Sequence, residues 1–592
     1  MVGTDKELAT TVNAYHGHAL SLSLLATYLR EYENGDIRKQ DGLLCLTEFP
    51  EETRTSRHAF RVMAAYERQL VDSADVQVLY SLGLFDRPVS AGAMICLRES
   101  GIPQVGGPPN DKIFHAACKR LRRLGLLNRE DTEHPGNLDC HPLVRQYFGK
   151  RLEELHPESW QQAHARLYEY FKTLPEKEQP NTLEKMEPLF AAVRHGCAAG
   201  MHQKAKDEVY WPRILRKNEH YLPKKICAFA DELSVLVHFF AVPWSMPAAG
   251  LTDYDKAVVL NSAAFSLRAL GRLTEAKEPM QASGDMLIKQ KKWGNSAIAA
   301  SNLSELYLTV GDLAQAVAAG RQSVELADRS GDILWRMASR TALADALHQG
   351  GELAEATALF AEAEKMQQER QQGCDWLDSV QGFQYCDLLL ASDAWPEVRR
   401  RVKKTLHWAK QDGDLLGIAL DKLSLGRTAS HKAIEQAGLP ALSSLAPDLA
   451  CVLPPGKAVE PVSGAVEAIS RAVKWLNQAV DGLREAGDEE LIARGLLARA
   501  TRYRWAIVLL NQSDAITQAL QDLQETEEIA QRSGMKLHLI DFHLEAARLA
   551  LTVGKPVLNR TAIEHLTAAK KGIKETGYNR RLPEVANIEE LL

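Results

Sequence analysis

The chain has 592 residues, with 71 Lys and Arg against 77 Asp and Glu for a net charge of −6, and it is 45% hydrophobic and 25% charged. That is the make-up of a globular chain, long enough for about four domains unless repeats merge several of them into one body. It excludes a small disulfide scaffold and a disordered tail, and it supplies no global field to attract nucleic acid or an anionic membrane.

The N-terminal MVGTDKELATTV lacks the basic start, apolar stretch and small-residue cleavage site of a secretory signal. The longest apolar run, 233–244, is interrupted by His238 and Pro243 and falls short of the roughly twenty residues a membrane helix needs. Nine cysteines are scattered and never spaced CxxC, so they read as buried thiols of a cytoplasmic protein.

Residues 1–72 read as a helical domain. Residues 73–155 differ: a helix over 76–82, the segment LFDRPVSAGAM, the helix IFHAACKRLRRLGLL, a polar turn TEHPGNLD between two brief extended pieces, then HPLVRQYFGKRL. Helices followed by a small hairpin predict a winged-helix unit. In the helix 113–127, Ala117, Leu121 and Leu124 form an apolar floor and Lys119, Arg120 and Arg123 a basic roof. Residues 156–253 read as a helical linker with the first, atypical repeats.

From 254 the sequence repeats. GRLTEA starts at Gly271, GDLAQA at Gly311 and GELAEA at Gly351, an interval of 40 each time. Ala263, Leu303 and Leu343 share one column, Leu273, Leu313 and Leu353 a second, and Ala276, Ala316 and Ala356 a third. Each unit predicts a helical hairpin, with glycine ending one helix in the left-handed conformation and Leu-x-x-Ala starting the next. RSGD, QDGD and EAGD end further helices, their Asp placed to cap the helix that follows. The expected fold class is all-α, with helical and winged-helix modules followed by a tetratricopeptide-type α-solenoid. The solenoid spans 254–437, a proline-rich loop covers 438–464, and 465–592 hold the C-terminal repeats and a cap in which Pro583 starts a short closing helix.

GHALSLSLLATYL from Gly17 resembles the Gly-x-Pro-Leu-Ala-Leu motif in the small helical domain of the NB-ARC and NACHT class of STAND ATPases, with Ala19 in place of the proline. HAFRVMAAYERQL, LFDRPVS and above all CHPLVRQYF resemble the winged-helix module of the same family, where a histidine faces bound nucleotide; His141 matches it, with Pro142 where the family commonly has Asp. The resemblance implies that His141, Gly17 and Arg145 sense a nucleotide. No GxxxxGK[ST] occurs: PPGK at 454–457 and GTDK at 3–6 lack the strand and the Ser or Thr that cradle and magnesium need. The ATPase core would therefore lie on another chain, with ADP or ATP bound only when the two are paired. The resemblance makes this chain a fragment, a partner subunit or an internally started product. A second reading of His141 is purely local, a cap for the helix beginning at Pro142.

Other chemistry is sparse. No GxSxG, HExxH or metal spacing of Cys and His is present, so no enzyme activity and no metal are expected. The cationic helix offers no Asn or Gln for base edges, which disfavours nucleic acid despite Lys119, Arg120 and Arg123. The better site is the concave face of the solenoid, where Asn261, Arg268, Asn302, Glu305, Arg340, Asp345, His348, Gln384 and Asp387 are expected to form a protein-binding groove. The expected function is non-catalytic recognition and signal transduction, the sensor portion of a STAND-type switch in bacterial defence, with a protein trigger on the groove and an ATPase or effector in trans. The alternatives are a winged-helix transcription regulator with a tetratricopeptide sensor, and a plain scaffold.

Overall fold

The computed structural model describes residues 1–42, 54–70, 73–371, 374–436, 463–510, 512 and 514–592. Its contacts divide the chain into two compact units, Met1–Ile214 and Leu215–Leu592. The proline-rich segment expected over 438–464 lies outside the described residues except for its last two positions, which belong to a helix.

The first unit is built from α1 (Asp5–Ala14), α2 (Ala19–Tyr32), α3 (Arg54–Gln69), α4 (Ala74–Leu82), α5 (Ala91–Arg98), α6 (Asp111–Arg123), α7 (Pro142–Leu155), α8 (Pro157–Thr173), α9 (Leu183–Ala198) and the short α10 (His202–Ala205), which runs into a π-helical stretch, Lys206–Ile214. Between α4 and α7 a single antiparallel bridge joins Val89 to Leu138, and Asn128 N–H donates to the Asp139 carbonyl at 2.8 Å. The brief extended pieces flanking the polar turn meet at that Asn128–Asp139 hydrogen bond, and the bridge ties the second of them to Val89.

Glu67 of α3 ties this unit together. Its carboxylate accepts from the Tyr80 hydroxyl of α4 and the Tyr147 hydroxyl of α7, both at 2.7 Å, and from Arg151 Nε at 3.0 Å. Helices α4 and α7 approach backbone to backbone, since a Cβ at Gly83 would lie 2.3 Å from the Gly149 nitrogen. The expected linker 156–253 is split by the unit boundary. Helices α8 and α9 pack on each other and on the helices before them, and a small antiparallel hairpin, β1 (Phe240–Val242) with β2 (Met246–Pro247), follows α11 (Phe229–Leu236) in the second unit.

The second unit then runs as hairpins. The pairs are α12 (Asp253–Ala269) with α13 (Leu273–Lys289), α14 (Trp293–Val310) with α15 (Leu313–Ser330), α16 (Ile333–Gly350) with α17 (Leu353–Arg370), and α18 (Ser379–Ala391) with α19 (Trp395–Asp412). After them come α20 (Leu415–Gln436) with α21 (Ser463–Ala486), α22 (Glu489–Leu510) with α23 (Asp514–Ser533), and α24 (Lys536–Val553) with α25 (Ala562–Thr576). The closing helix α26 (Leu582–Glu589) carries Pro583 in its first turn.

The repeat chemistry is as expected. Gly311 and Gly351 sit at φ 82° and 94° just after α14 and α16, where a side chain would be strained. Asp332 accepts from two N–H groups of the α16 first turn, and Asp488 from Leu491 N–H. Ala276, Ala316 and Ala356 are fully buried. Ser283 Oγ donates to the Ala257 carbonyl, and the same bond recurs 40 residues on from Ser323 to Ala297, so a small residue with its own donor lets paired helices touch. Leu273 and Leu313 are buried, whereas Leu353, third in that column, is exposed. Helices α20 and α21 pack along their length as one hairpin.

The last repeats pack onto the inner helices of the first ones. Tyr307, Leu308 and Ala346 of α14 and α16 share one core with Leu537, Ile540 and Leu544 of α24 and with Tyr578, Val585 and Ile588. The turns at Gly271, Gly311 and Gly351 meet Ser533, Lys536 and Asn579 in that order. Among the described residues no helix is long and apolar enough to cross a membrane.

Candidate functional site

The expected groove is largely filled by the chain itself. Arg340, Asp345, His348, Gln384 and Asp387 are all buried, which corrects their assignment to an open surface. The reason is tertiary. Asp387 meets Arg580 at 2.6 Å and Arg427 at 2.9 Å, and His348 lies 3.8 Å from Asp387, with burial holding its imidazole well below its ordinary value and therefore neutral. Arg340 does not face inward. It pairs with Asp328 of α15 and Glu362 of α17, both at 2.9 Å, being five residues and about 140° round the helix from Asp345.

Asp345 and Gln384, with Arg268, Asn302 and Glu305, surround a cavity of about 450 Å³. Arg268, Asn302 and Glu305 come from α12 and α14, Asp345 from α16, Gln384 from α18, and Asp488, Glu490 and Arg494 from the α21–α22 turn and α22. Asn261 reaches it indirectly, accepting from the Asn302 amide at 3.3 Å. Aromatic walls come from Phe229, Phe265, Trp335 and Phe383. Glu219 and Lys224 lie exposed at the rim, on the segment 215–228.

The electrostatics follow from who is paired. Arg268 holds Glu305 at 3.0 Å and Arg494 holds Glu490 at 3.1 Å, and Glu490 also accepts from the Thr309 hydroxyl at 2.9 Å. Burial pushes Glu490 up, but Arg494, His538 and Arg268 outweigh it and keep the carboxylate below its usual range. Asp345 takes one bond, from the Gln349 amide at 2.8 Å, and Asp488 the backbone bond of its cap. Neither has an ion-pair partner among the described residues, and burial pushes both up to about 6. Burial also raises Glu305. Groups shifted this way in a concave site mark a functional candidate.

Reading the sequence for an inner face missed Asp488, Glu490 and Arg494, because they reach the cavity only when α22 closes onto α12 and α14. The available signal was weak, an i,i+4 Glu490–Arg494 pair on one helix face.

In the first unit, the nucleotide-sensing candidates have local roles. His141 caps α7, its Nδ1 accepting from Leu143 N–H at 3.2 Å, with Pro142 in the first turn. Burial and the positive charge of His18 lower its pKa. Gly17 has φ 68° and links α1 to α2, its N–H donating to the Val12 carbonyl at 2.9 Å. Arg145 is buried and bonds Asp139.

Arg120 pairs with buried Asp75 at 2.6 Å and Arg123 with Glu31 at 3.1 Å, fastening α6 to α4 and α2, while Lys119 is exposed. Among the described cysteines, Cys96, Cys118, Cys140, Cys197 and Cys386 are buried free thiols. No group of three or more potential ligands is disposed to hold a metal ion among the described residues.

No protein-family model matches the chain, and no curated protein does. Among solved structures it is similar to a Signal Transduction ATPase with Numerous Domains (STAND) protein with a tetratricopeptide repeat sensor from Pyrococcus horikoshii, at 13% identity over 99% of this chain and 71% of that one, with a TM-score of 0.39. It is also similar to a circular tandem repeat protein, at 14% identity over 87% of this chain and 98% of that one, with a TM-score of 0.16. Both scores lie below 0.5, and the all-α helical-repeat fold rests on the helices described above.

Proposed function

We propose that this chain is a non-catalytic, cytoplasmic recognition and signal-transduction protein, the sensor portion of a STAND-type switch, whose ligand seat is the cavity enclosed by its repeats. The observation that carries the reading is the cavity itself, about 450 Å³ with charged groups converging on aromatic walls, within the range of small-ligand sites. A protein trigger enters this scheme by inserting a small group at the rim rather than by lying along an open groove. Residues 1–72 and 73–155 serve as the helical and winged-helix relay to an ATPase core on another chain, where His141 senses ADP or ATP. A ligand drives such a switch only through unequal affinity for its two arrangements.

The test is calorimetry of the full chain with ADP and with ATP plus magnesium, alone and mixed with an ATPase core encoded beside it. Binding in the mixture alone, weakened by His141→Ala, is the expected result. No binding in either case overturns the switch and leaves a scaffold.

A further inference from the structure

We propose that the cavity between the inner repeat helices binds a small organic cation with an apolar body, its ammonium group received by Asp345 and its body by the aromatic walls. The proposal rests on the reading of this cavity as a ligand seat and adds the chemistry of what it takes.

Charge decides the sign of the ligand. Six carboxyl groups line the cavity against four cationic side chains. The two guanidiniums are occupied, Arg268 by Glu305 and Arg494 by Glu490. Lys225 is turned to the Asp412 carbonyl at 3.0 Å, and Lys224 stands at the rim. An incoming anion would find no free guanidinium and would meet the unpaired carboxyls of Asp345 and Asp488. A cation meets those carboxyls without displacing a pair, and ionising them is favoured once a positive group lies beside them.

Shape and surface decide the rest. Phe229, Phe265, Trp335 and Phe383, with Leu416 and Leu491, give the cavity apolar walls that hold an aryl or alkyl body and attract a cation through the ring faces. The rim provides an entrance of unusual build. Arg216, Lys217, His220 and Cys227 carry φ of 55°, 58°, 47° and 57°, left-handed values costly for side-chain-bearing residues. Four of them within twelve residues store strain beside the opening, where a segment that rearranges on binding would be placed.

The experiment uses the full chain at pH 7.5 with three probes that share a phenylethyl body, 2-phenylethylamine, 2-phenylethanol and 3-phenylpropionate, followed by saturation-transfer NMR and titrated to millimolar concentration. The amine is expected to bind at least tenfold more tightly than the alcohol, and the carboxylate not measurably. Asp345→Asn should weaken the amine at least tenfold and leave the alcohol unchanged, and Ala338→Trp, which fills the cavity, should abolish both. Alcohol or carboxylate binding as tightly as the amine overturns the cation while leaving the ligand seat standing. Failure of all three to bind overturns both. If Asp345→Asn does not fold, the preference of the unaltered chain among the three probes decides.

Discussion

Arg580 Nη1 lies 2.6 Å from Asp387 Oδ2 although 193 residues separate them in the chain. The same guanidinium donates to Gln349 Oε1 at 2.8 Å, so one side chain just ahead of the closing helix joins α16 and α18. Burial pushes Asp387 up, but Arg580 and Arg427 outweigh it and hold its carboxyl well below the usual range.

Removing Arg580 leaves a buried carboxylate short of one partner. Arg580→Ala is expected to destabilise the chain by about 3–5 kcal/mol in denaturant unfolding. Arg580→Ala with Asp387→Ala should cost less than the two single changes added together, since the attraction between the two groups is then lost once rather than counted twice. Additive effects would show that the pair is not coupled.

The closure also sets a pH dependence. Asp345 and Asp488 have folded pKa values raised to about 6 from 3.8, so between those values the folded state binds more protons than the unfolded state. Their contribution to stability is fully present below about pH 4 and is lost as pH rises through about 6. The groups facing them are Arg494, Asp387 and Glu490 for Asp345, and Arg268, Glu490 and Glu305 for Asp488. Asp345→Asn is expected to raise the melting temperature at pH 7.5 and to have less effect at pH 5. An equal shift at both pH values would remove the titration from the account.

Gly83 and Gly149 set the crossing of α4 and α7. A Cβ at Gly149 would lie 2.5 Å from the Gly83 carbonyl oxygen, and backbone on both sides cannot yield as a flexible side chain would. Gly149→Ala should cost about 3 kcal/mol or more, read as early melting of the Met1–Ile214 unit. Gly101→Ala, with open space around it but φ 70°, should cost about 1 kcal/mol.

His141 separates capping from sensing. His141→Ala is expected to cost about 1 kcal/mol through loss of the α7 cap, and His141→Asn to restore most of it. If the imidazole reads a nucleotide, Asn restores stability without restoring nucleotide binding in the mixture with an ATPase core. Full recovery of both by Asn would reduce His141 to a cap.

What the sequence by itself determined is everything that local chemistry enforces. The 40-residue interval, the glycine stops at Gly311 and Gly351, the caps at Asp332 and Asp488 and the closing helix at Pro583 each depend on residues within a few positions of one another. The inward direction of Arg268, Glu305 and Asp345 was legible for the same reason, because helical periodicity puts them on one face. What covers that face was not. Whether Asp387 meets solvent or Arg580, and whether Glu305 lines a groove or a cavity, depends on how seven hairpins accumulate curvature and bring α22 and α24 back onto α12, α14 and α16. That curvature is the sum of many small packing choices between neighbouring helices. It places side chains from opposite ends of the repeat unit in one site, and no local pattern encodes such a meeting.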